Sequence, residues 1–306
     1  MIAGHFLLAF TLVAAAATAL GYQKEKALYL ALFAGGFAVI PDVDMIYGVK
    51  GLVIALDSGL NGFPGTFWDV SNRVHRGLSH SLVTGLVATL GFTAYFIRSK
   101  KSVAVSVIGL LVVSAFIFEE LVGAVVMLVF SLIGLKLAES AQGHINNREF
   151  LSVAGLGLLS HPFGDFFTGT PPELFFPLTD TVRESKIVLN QDPVLNLLSI
   201  FGIELFLGLT AVIFALHLRE VSIKENISPL ISAGGLYGFV FYLIPVPTLA
   251  ASYSFVFSIL GFGIVVPAFR RSKWSKEIDS MLVLGLNYVS TIAVALVTYL
   301  VIYIAG

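Results

Sequence analysis

Long runs of apolar residues, separated by short polar connections, recur from one end of this 306-residue chain to the other. A helix of about 20 apolar residues is long enough to cross the hydrocarbon core of a bilayer. Ten such runs are predicted as spans, at 4–21, 25–41, 79–97, 102–118, 121–137, 149–167, 195–217, 229–245, 249–268 and 281–304. The pattern therefore predicts an all-α, polytopic integral membrane protein with about 8–10 transmembrane helices.

The spans differ in length and in how clearly they are separated. Only Glu119 and Glu120 lie between the fourth and fifth spans, and we count two spans there because one would disturb the alternation of basic connections. The second and sixth spans are short, since the apolar stretch 27–40 extends only about 21 Å as a helix. Their polar ends, PDVD and HPFGD, are therefore predicted to lie below the outer membrane surface.

The distribution of Lys and Arg predicts which side of the membrane each connection occupies. Thirteen of the 18 basic residues fall in one set of alternate connections, and an excess of basic residues marks the cytoplasmic side. Both termini and the PDVD and HPFGD segments are then expected outside. The first span has small residues typical of a signal peptide but lacks a basic leader, so it is interpreted as a retained helix.

Composition narrows the classes of function. The chain is 57% hydrophobic and 12% charged, about half the charged fraction of soluble domains, and a net charge of −1 favours no nucleic-acid partner. Without cysteine, any metal must be bound by His, Asp or Glu. We predict a metal-site membrane domain at 1–190, with outer loops 41–78 and 162–194, followed by further transmembrane helices at 195–306.

PDVD ends the second predicted span and contains the closely spaced acids Asp42 and Asp44. Two such carboxylates repel each other unless a cation or a basic side chain lies between them. The pair therefore favours a metal site, and a helix-ending turn with solvated acids is the alternative.

HRGLSHS, residues 75–81, places two histidines where the third span begins. Gly77 favours a turn and Ser79 a helix N-cap, which makes His80 a first-turn residue able to converge with His75 on one metal. The nearby Arg73 and Arg76 are suited to a phosphate or carboxylate. A polar helix cap at the level of the lipid headgroups is the alternative.

HPFGD places His161 and Asp165 four residues apart, on one face if the segment is helical. Imidazole nitrogen and carboxylate oxygen both bind Zn²⁺ or Mn²⁺, although Pro162 favours a kink or a new helix start. His5 is predicted on the same side of the membrane. An interfacial histidine beside an acid is the alternative for HPFGD, but the shared side of these motifs favours one metal site.

In their order along the chain, these motifs resemble the YdjM-type membrane-bound metal-dependent hydrolases, LexA-regulated inner-membrane proteins of bacteria. The resemblance covers about residues 1–180, and the H-x-x-x-D element is also similar to one in zinc-dependent phospholipase C. It implies a plasma (inner) membrane location and six metal ligands: His5, Asp42, Asp44, His80, His161 and Asp165. It also implies that His75 is a seventh ligand or a proton shuttle. The insertion at 45–74 departs from the family pattern and is predicted to be a lid.

These observations predict a hydrolase that uses one or two divalent ions, zinc first and manganese as the alternative. Water activated by the metal would attack a lipid or a lipid-linked phosphate or ester at the outer membrane–water boundary. His75 or an unligated Asp is the predicted general base, and Arg76, with Arg73 second, is predicted to hold the developing negative charge.

Three other functions are compatible with the sequence. A transporter or a non-catalytic metal-binding membrane protein would also place acids and histidines in the membrane, but a transport path needs polar groups on both sides. Glu204 is the main ionisable residue deep in the cytoplasmic halves, and it is interpreted as a structural partner between helices. A membrane di-iron oxygenase is disfavoured because the chain has only six histidines.

Overall fold

The computed structural model describes residues 2–48, 50, 54, 56, 76–167, 171–179, 186–243, 252–269 and 278–305. Within these ranges every regular element is helical, which confirms the all-α class. The α-helices are α1 Ile2–Ala19, α2 Lys24–Ala38, α3 Leu82–Phe96, α4 Lys101–Ala141, α5 Asn147–Asp165, α6 Pro193–Leu218, α7 Ile223–Asn226, α8 Ala233–Tyr242, α9 Ser252–Gly263, α10 Val265–Phe269 and α11 Ile278–Ala305. Short 3₁₀ helices occupy Pro41–Gly48, Leu78–His80, Arg98–Lys100 and Pro229–Ser232.

Each predicted span coincides with one or two of these helices. In the part of the chain that the structure describes, three helices are long and apolar enough to cross a membrane: α4 with the turn before it, α6 and α11. Other apolar helices are shorter, including α1 and α3, and the 15 residues of α2 extend only about 22 Å. The helical membrane class is thus supported by length and composition, and the number of crossings stays a prediction.

Helix α4 is interrupted where the sequence has its two adjacent acids. Its 41 residues would extend about 60 Å as one straight helix, roughly twice the hydrocarbon thickness of a bilayer. Glu120 has non-helical backbone angles, φ 60° and ψ −158°, and divides α4 into two helical halves. This break agrees with the prediction that the fourth and fifth spans are separate.

The described chain forms two compact units. The first comprises residues 1–22 and 29–187, and its core includes a chain of phenylalanine contacts through Phe37, Phe92 and Phe150. In this unit α3 packs against both α4 and α5. Gly157 of α5 contacts α2 so closely that an added Cβ would lie 2.5 Å from the Ala34 carbonyl oxygen. This contact places the last turn of α2 beside the end of α5.

The second unit comprises residues 23–28 and 188–306, and α11 is its central helix. Gly234 and Gly238 of α8 bring the two backbones together, since an added Cβ at either would lie within 2.3 Å of a carbonyl oxygen of α11. Asn287 of α11 is fully buried and binds the backbone of Asn226 and Ser228. The division into a metal-site domain at 1–190 and further transmembrane helices at 195–306 stays a prediction.

Candidate metal centre

Four short segments of the first unit bring the six predicted metal ligands together. His5 lies in the second turn of α1, and Asp42 and Asp44 lie in the 3₁₀ helix that follows α2. His80 ends the 3₁₀ turn before α3, and the remaining two ligands, His161 and Asp165, lie in the last turns of α5. All six are buried, with relative exposures between 0% and 6%.

Three imidazole Nε2 atoms face the carboxylates of Asp42 and Asp165. The Nε2 atom of His80 lies 3.6 Å from Asp42 Oδ1 and 3.4 Å from Asp165 Oδ2. The corresponding distances are 3.8 and 3.6 Å for His161. For His5, Nε2 lies 3.9 Å from Asp42 Oδ2 and 3.4 Å from Asp165 Oδ1. Five side chains from four segments therefore surround one small space.

These distances suit the ligands of a metal better than they suit hydrogen bonds. Hydrogen bonds between nitrogen and oxygen are usually 2.7–3.2 Å, whereas two ligand atoms about 2.1 Å from a tetrahedral zinc ion lie about 3.4 Å apart. Among the described residues, the Nε2 atoms of His5 and His161 have no hydrogen-bond partner, nor do Asp42 Oδ2 and Asp165 Oδ2. Buried polar atoms without partners are costly, so this donor set fits a bound divalent cation.

The possible ligand atoms form three overlapping groups, each within 4.8 Å. The groups are His5–Asp42–His161, His80–His161–Asp165 and Asp42–Asp44–His80. One or two ions are compatible with such an arrangement, as the sequence predicted.

The imidazole rings of His161 and His80 are oriented by contacts of their Nδ1 atoms. His161 Nδ1 lies 2.6 Å from the carbonyl oxygen of Ala38 at the end of α2, so this nitrogen carries the proton and Nε2 is left to accept a metal. His80 Nδ1 lies 3.2 Å from Asp44 Oδ2, and the Ser79 hydroxyl donates a hydrogen bond to the same oxygen at 2.7 Å. Asp44 thus lies behind the His80 ring, at the nitrogen opposite Nε2.

The position of His5 depends on packing against α5. Its ring stacks on that of His161, with centroids 3.8 Å apart and an interplanar angle of 30°. Gly164 provides the necessary space, because an added Cβ there would lie 2.7 Å from His5 Nδ1 and Cε1.

Arg76 binds the ligand Asp165 directly. One guanidinium nitrogen donates to Asp165 Oδ1 at 2.9 Å and the other to the Asp165 carbonyl oxygen at 3.2 Å. The Arg76 backbone has φ 68°, a left-handed conformation that is uncommon for a residue with a side chain. Its predicted part in holding a substrate anion stays a prediction, and the described contacts give it a part in fixing Asp165.

The local structure around HRGLSHS and HPFGD differs from the prediction in two respects. Ser81, rather than Ser79, is the N-cap of α3 and accepts from the Thr84 N–H at 3.2 Å, while His80 precedes the α-helix in a 3₁₀ turn. The Ser79 hydroxyl instead donates a hydrogen bond to the Asp44 carboxylate. Helix α5 continues through Pro162 without a new start, which keeps His161 and Asp165 on one face.

Glu119 is the residue near the site that the sequence reading undervalued. The sequence pattern marks it only as part of the connection between two spans, but its carboxylate accepts a 2.6 Å hydrogen bond from the Leu78 N–H, beside Ser79 and His80. The available signal was an acidic pair inside an otherwise apolar stretch of membrane length. His75, Arg73 and most of the predicted lid at 45–74 lie outside the described residues.

The electrostatics of the two 3₁₀ segments favour positive charge in the cluster. Carboxylates lie on both sides of the His80 ring, since Nδ1 is 3.2 Å from Asp44 Oδ2 and Nε2 is 3.6 Å from Asp42 Oδ1 and 3.4 Å from Asp165 Oδ2. Burial raises the pKa of the Asp42 carboxyl, and the neighbouring rings of His80 and His161 more than offset it, so the pKa lies below its ordinary value. Asp42, Asp44 and Asp165 thus place three carboxyl groups in one buried space, an arrangement that favours a bound cation.

Comparison with known proteins places the chain in one family. The family described as YdjM inner membrane protein matches residues 1–244, well beyond residue 180, where the predicted resemblance ended. No curated protein and no solved structure matches the chain.

Proposed function

The chain belongs to the YdjM inner membrane protein family, and on that premise we propose that it is a membrane-embedded metal-dependent hydrolase. The observation that carries the proposal is the convergence of five buried side chains whose facing nitrogen and oxygen atoms lie 3.4–3.9 Å apart. We assign the substrate to lipids or lipid-linked phosphates and esters, and the site to the extracytoplasmic side. A protein held in the inner membrane meets such substrates at its own surface.

The residues have distinct proposed roles. His5, His80, His161, Asp42 and Asp165 hold the metal, which is zinc or manganese. A bound divalent cation supplies an acidified water molecule and polarises a phosphoryl or acyl oxygen.

Neighbouring groups keep these ligands in place. Asp44 and Ser79 orient His80, and the Ala38 carbonyl orients His161. Arg76 fixes Asp165 and also supplies a cation beside the centre for an anionic substrate group. His75 as general base and Arg73 as a second anion-binding residue remain part of the proposal from sequence.

Metal content of the purified protein is the first test. We expect about one or two zinc or manganese ions per chain by elemental analysis, and loss of this metal in His161→Ala and Asp42→Ala variants. The control is His144→Ala, which removes a ring that contacts the Tyr29 ring, with centroids 4.1 Å apart, and lies outside the cluster. Metal-free wild-type protein under saturating zinc and manganese would contradict the metal centre.

Hydrolysis is the second test. We expect the wild-type protein in vesicles to release a product from at least one phospholipid or lipid phosphate, and the rate to fall more than about 100-fold in His161→Ala or after chelation. Restoring metal after chelation should restore activity in the wild-type protein and in His144→Ala. Stoichiometric metal without hydrolysis of any lipid class would instead support the metal-binding or transport alternative.

A further inference from the structure

An apolar groove of about 340 Å³ lies in the first unit, between the 3₁₀ helix Pro41–Gly48 and the second half of α4. Its volume is near the lower end of the range of roughly 300–1,000 Å³ usual for small-molecule sites. The described residues that line it are aliphatic apart from Lys50: Val43, Ile46, Leu121, Val122, Val125, Val126 and Val129. A hydrocarbon chain matches both the volume and the lining.

The groove shares its walls with segments that form the metal centre. Val43 lies between Asp42 and Asp44, so the 3₁₀ helix contributes acids to the buried cluster and aliphatic side chains to the groove. On the other wall, Glu119 bonds to the turn that carries His80, and Leu121 lines the groove just past the break in α4. The groove and the metal centre are therefore adjacent along both segments.

The groove is continuous with a surface suited to lipid chains. Leu121, Val125, Leu128 and Leu132 recur at helical spacing along one face of α4 and are 67%, 53%, 47% and 56% exposed. In an inner membrane protein such an apolar face contacts acyl chains. A chain can therefore enter the groove sideways from the bilayer.

Lys50 contributes charge complementarity at the groove. Its side chain is exposed and lines the same space as the valines. Lysine near a membrane surface attracts the phosphate of anionic lipids. An anionic phospholipid can therefore place its chain in the groove and its phosphate towards a cationic side chain.

We propose that this groove binds one hydrocarbon chain of an anionic phospholipid substrate, with the headgroup directed to the metal centre. This inference rests on the proposed hydrolase function and adds the substrate class. Binding of the acyl chain can be tested separately from hydrolysis, because the residues that line the groove are not the proposed metal ligands.

The test is photo-crosslinking with phosphatidic acid that carries a diazirine in its acyl chain, in phosphatidylcholine vesicles. Crosslinked peptides from full-length protein are mapped by mass spectrometry. Val125→Trp fills the groove from an exposed position, and Val113→Trp is the matched control, since the two valines are 53% and 55% exposed on the same helix. His161→Ala, which lacks a metal ligand, separates chain binding from catalysis.

In the wild-type protein we expect crosslinks concentrated at 121–129, and a decrease of about ten-fold there in Val125→Trp, the effect of excluding about two methylene groups. Val113→Trp and His161→Ala should keep the wild-type crosslinks. Crosslinks that are spread evenly over α4, or that are unchanged in Val125→Trp, would overturn the proposal that the groove binds an acyl chain. Groove crosslinks in a wild-type protein that hydrolyses no lipid would overturn the hydrolase and leave lipid binding.

Discussion

At the residue scale, two histidines of the candidate centre differ in the partner of their Nδ1 atom, the ring nitrogen that points away from the cluster. A backbone carbonyl binds His161 Nδ1, and Asp44 with Ser79 binds His80 Nδ1. Contacts of this kind fix the tautomer and the ring orientation of metal-binding histidines and raise their affinity for the ion. Asp44 is therefore best assigned to orienting a ligand, while Asp42 and Asp165 face the Nε2 atoms.

Substitution of Asp44 tests this assignment. In Asp44→Asn and in Ser79→Ala we expect metal affinity to fall about 10–100-fold, with the wild-type amount of metal still bound at saturation. Competition titration with a chromophoric chelator measures the affinity. Asp42→Ala provides the comparison, because loss of a ligand should reduce the amount bound as well. If Asp44→Asn bound no metal at saturation, Asp44 would itself be a ligand.

Gly164 gives a second prediction at this scale. Gly164→Ala should displace the His5 ring and lower metal affinity without unfolding the helix, because the new methyl group would overlap His5 Nδ1 and Cε1. Gly155→Ala is the matched control on α5, where the added Cβ meets only Thr89 Cγ2 at 3.6 Å. The same chelator titration, with helix content from circular dichroism, should separate the two variants. Equal affinities would show that the His5 position does not depend on Gly164.

At the scale of helices, the break at Glu120 lies between two features of the first unit, the turn that carries His80 and the apolar groove. It ends one half of α4 beside the turn that carries His80 and begins the half that lines the apolar groove. The acidic pair thus marks a structural boundary near the site.

In the second unit, the buried hydrogen bonds of Asn287 connect α11 to the segment before α8, and their loss should lower stability. Asn287→Leu leaves the buried Ser228 N–H without its 2.6 Å acceptor, so we expect a loss of about 1–3 kcal/mol in unfolding free energy. Thr298→Val on the same helix is the control, because that hydroxyl bonds only its own helix, at Val294. Denaturant titration in detergent measures both variants. The candidate metal ligands all belong to the first unit, so we expect the bound metal to be unchanged in Asn287→Leu, and loss of metal would contradict this.

At the scale of the whole molecule, family membership and apolar helices place the chain in the inner membrane. The proposed reaction also requires the metal centre to lie on the extracytoplasmic side. The positive-inside distribution of Lys and Arg supports that orientation. The connection containing Thr179 would then be outside and that containing Ser140 inside.

Single cysteines test the orientation without background labelling, because the natural chain has no cysteine. Thr179 and Ser140 are both exposed in the structure. We expect a membrane-impermeant maleimide to label Thr179→Cys in intact cells, and Ser140→Cys only after the cells are permeabilised. The reverse pattern would place the metal centre on the cytoplasmic side.

The sequence by itself determined the helical class, the positions of the helices and the residue types available for a metal. These are local properties, since apolar length and helix-ending polar residues can be read within one segment. The same local signals located His5, PDVD, HRGLSHS and HPFGD, and placed a division at Glu119 and Glu120.

Only the tertiary structure decided how these residues are used. The Nε2 atoms that face Asp42 and Asp165, the place of Asp44 behind His80, and the space that Gly164 leaves for His5 all depend on contacts between segments far apart in the chain. The capping role of Ser81 likewise depended on a short turn that local patterns did not predict. Packing between helices, rather than the pattern within any one of them, determines which polar atoms meet.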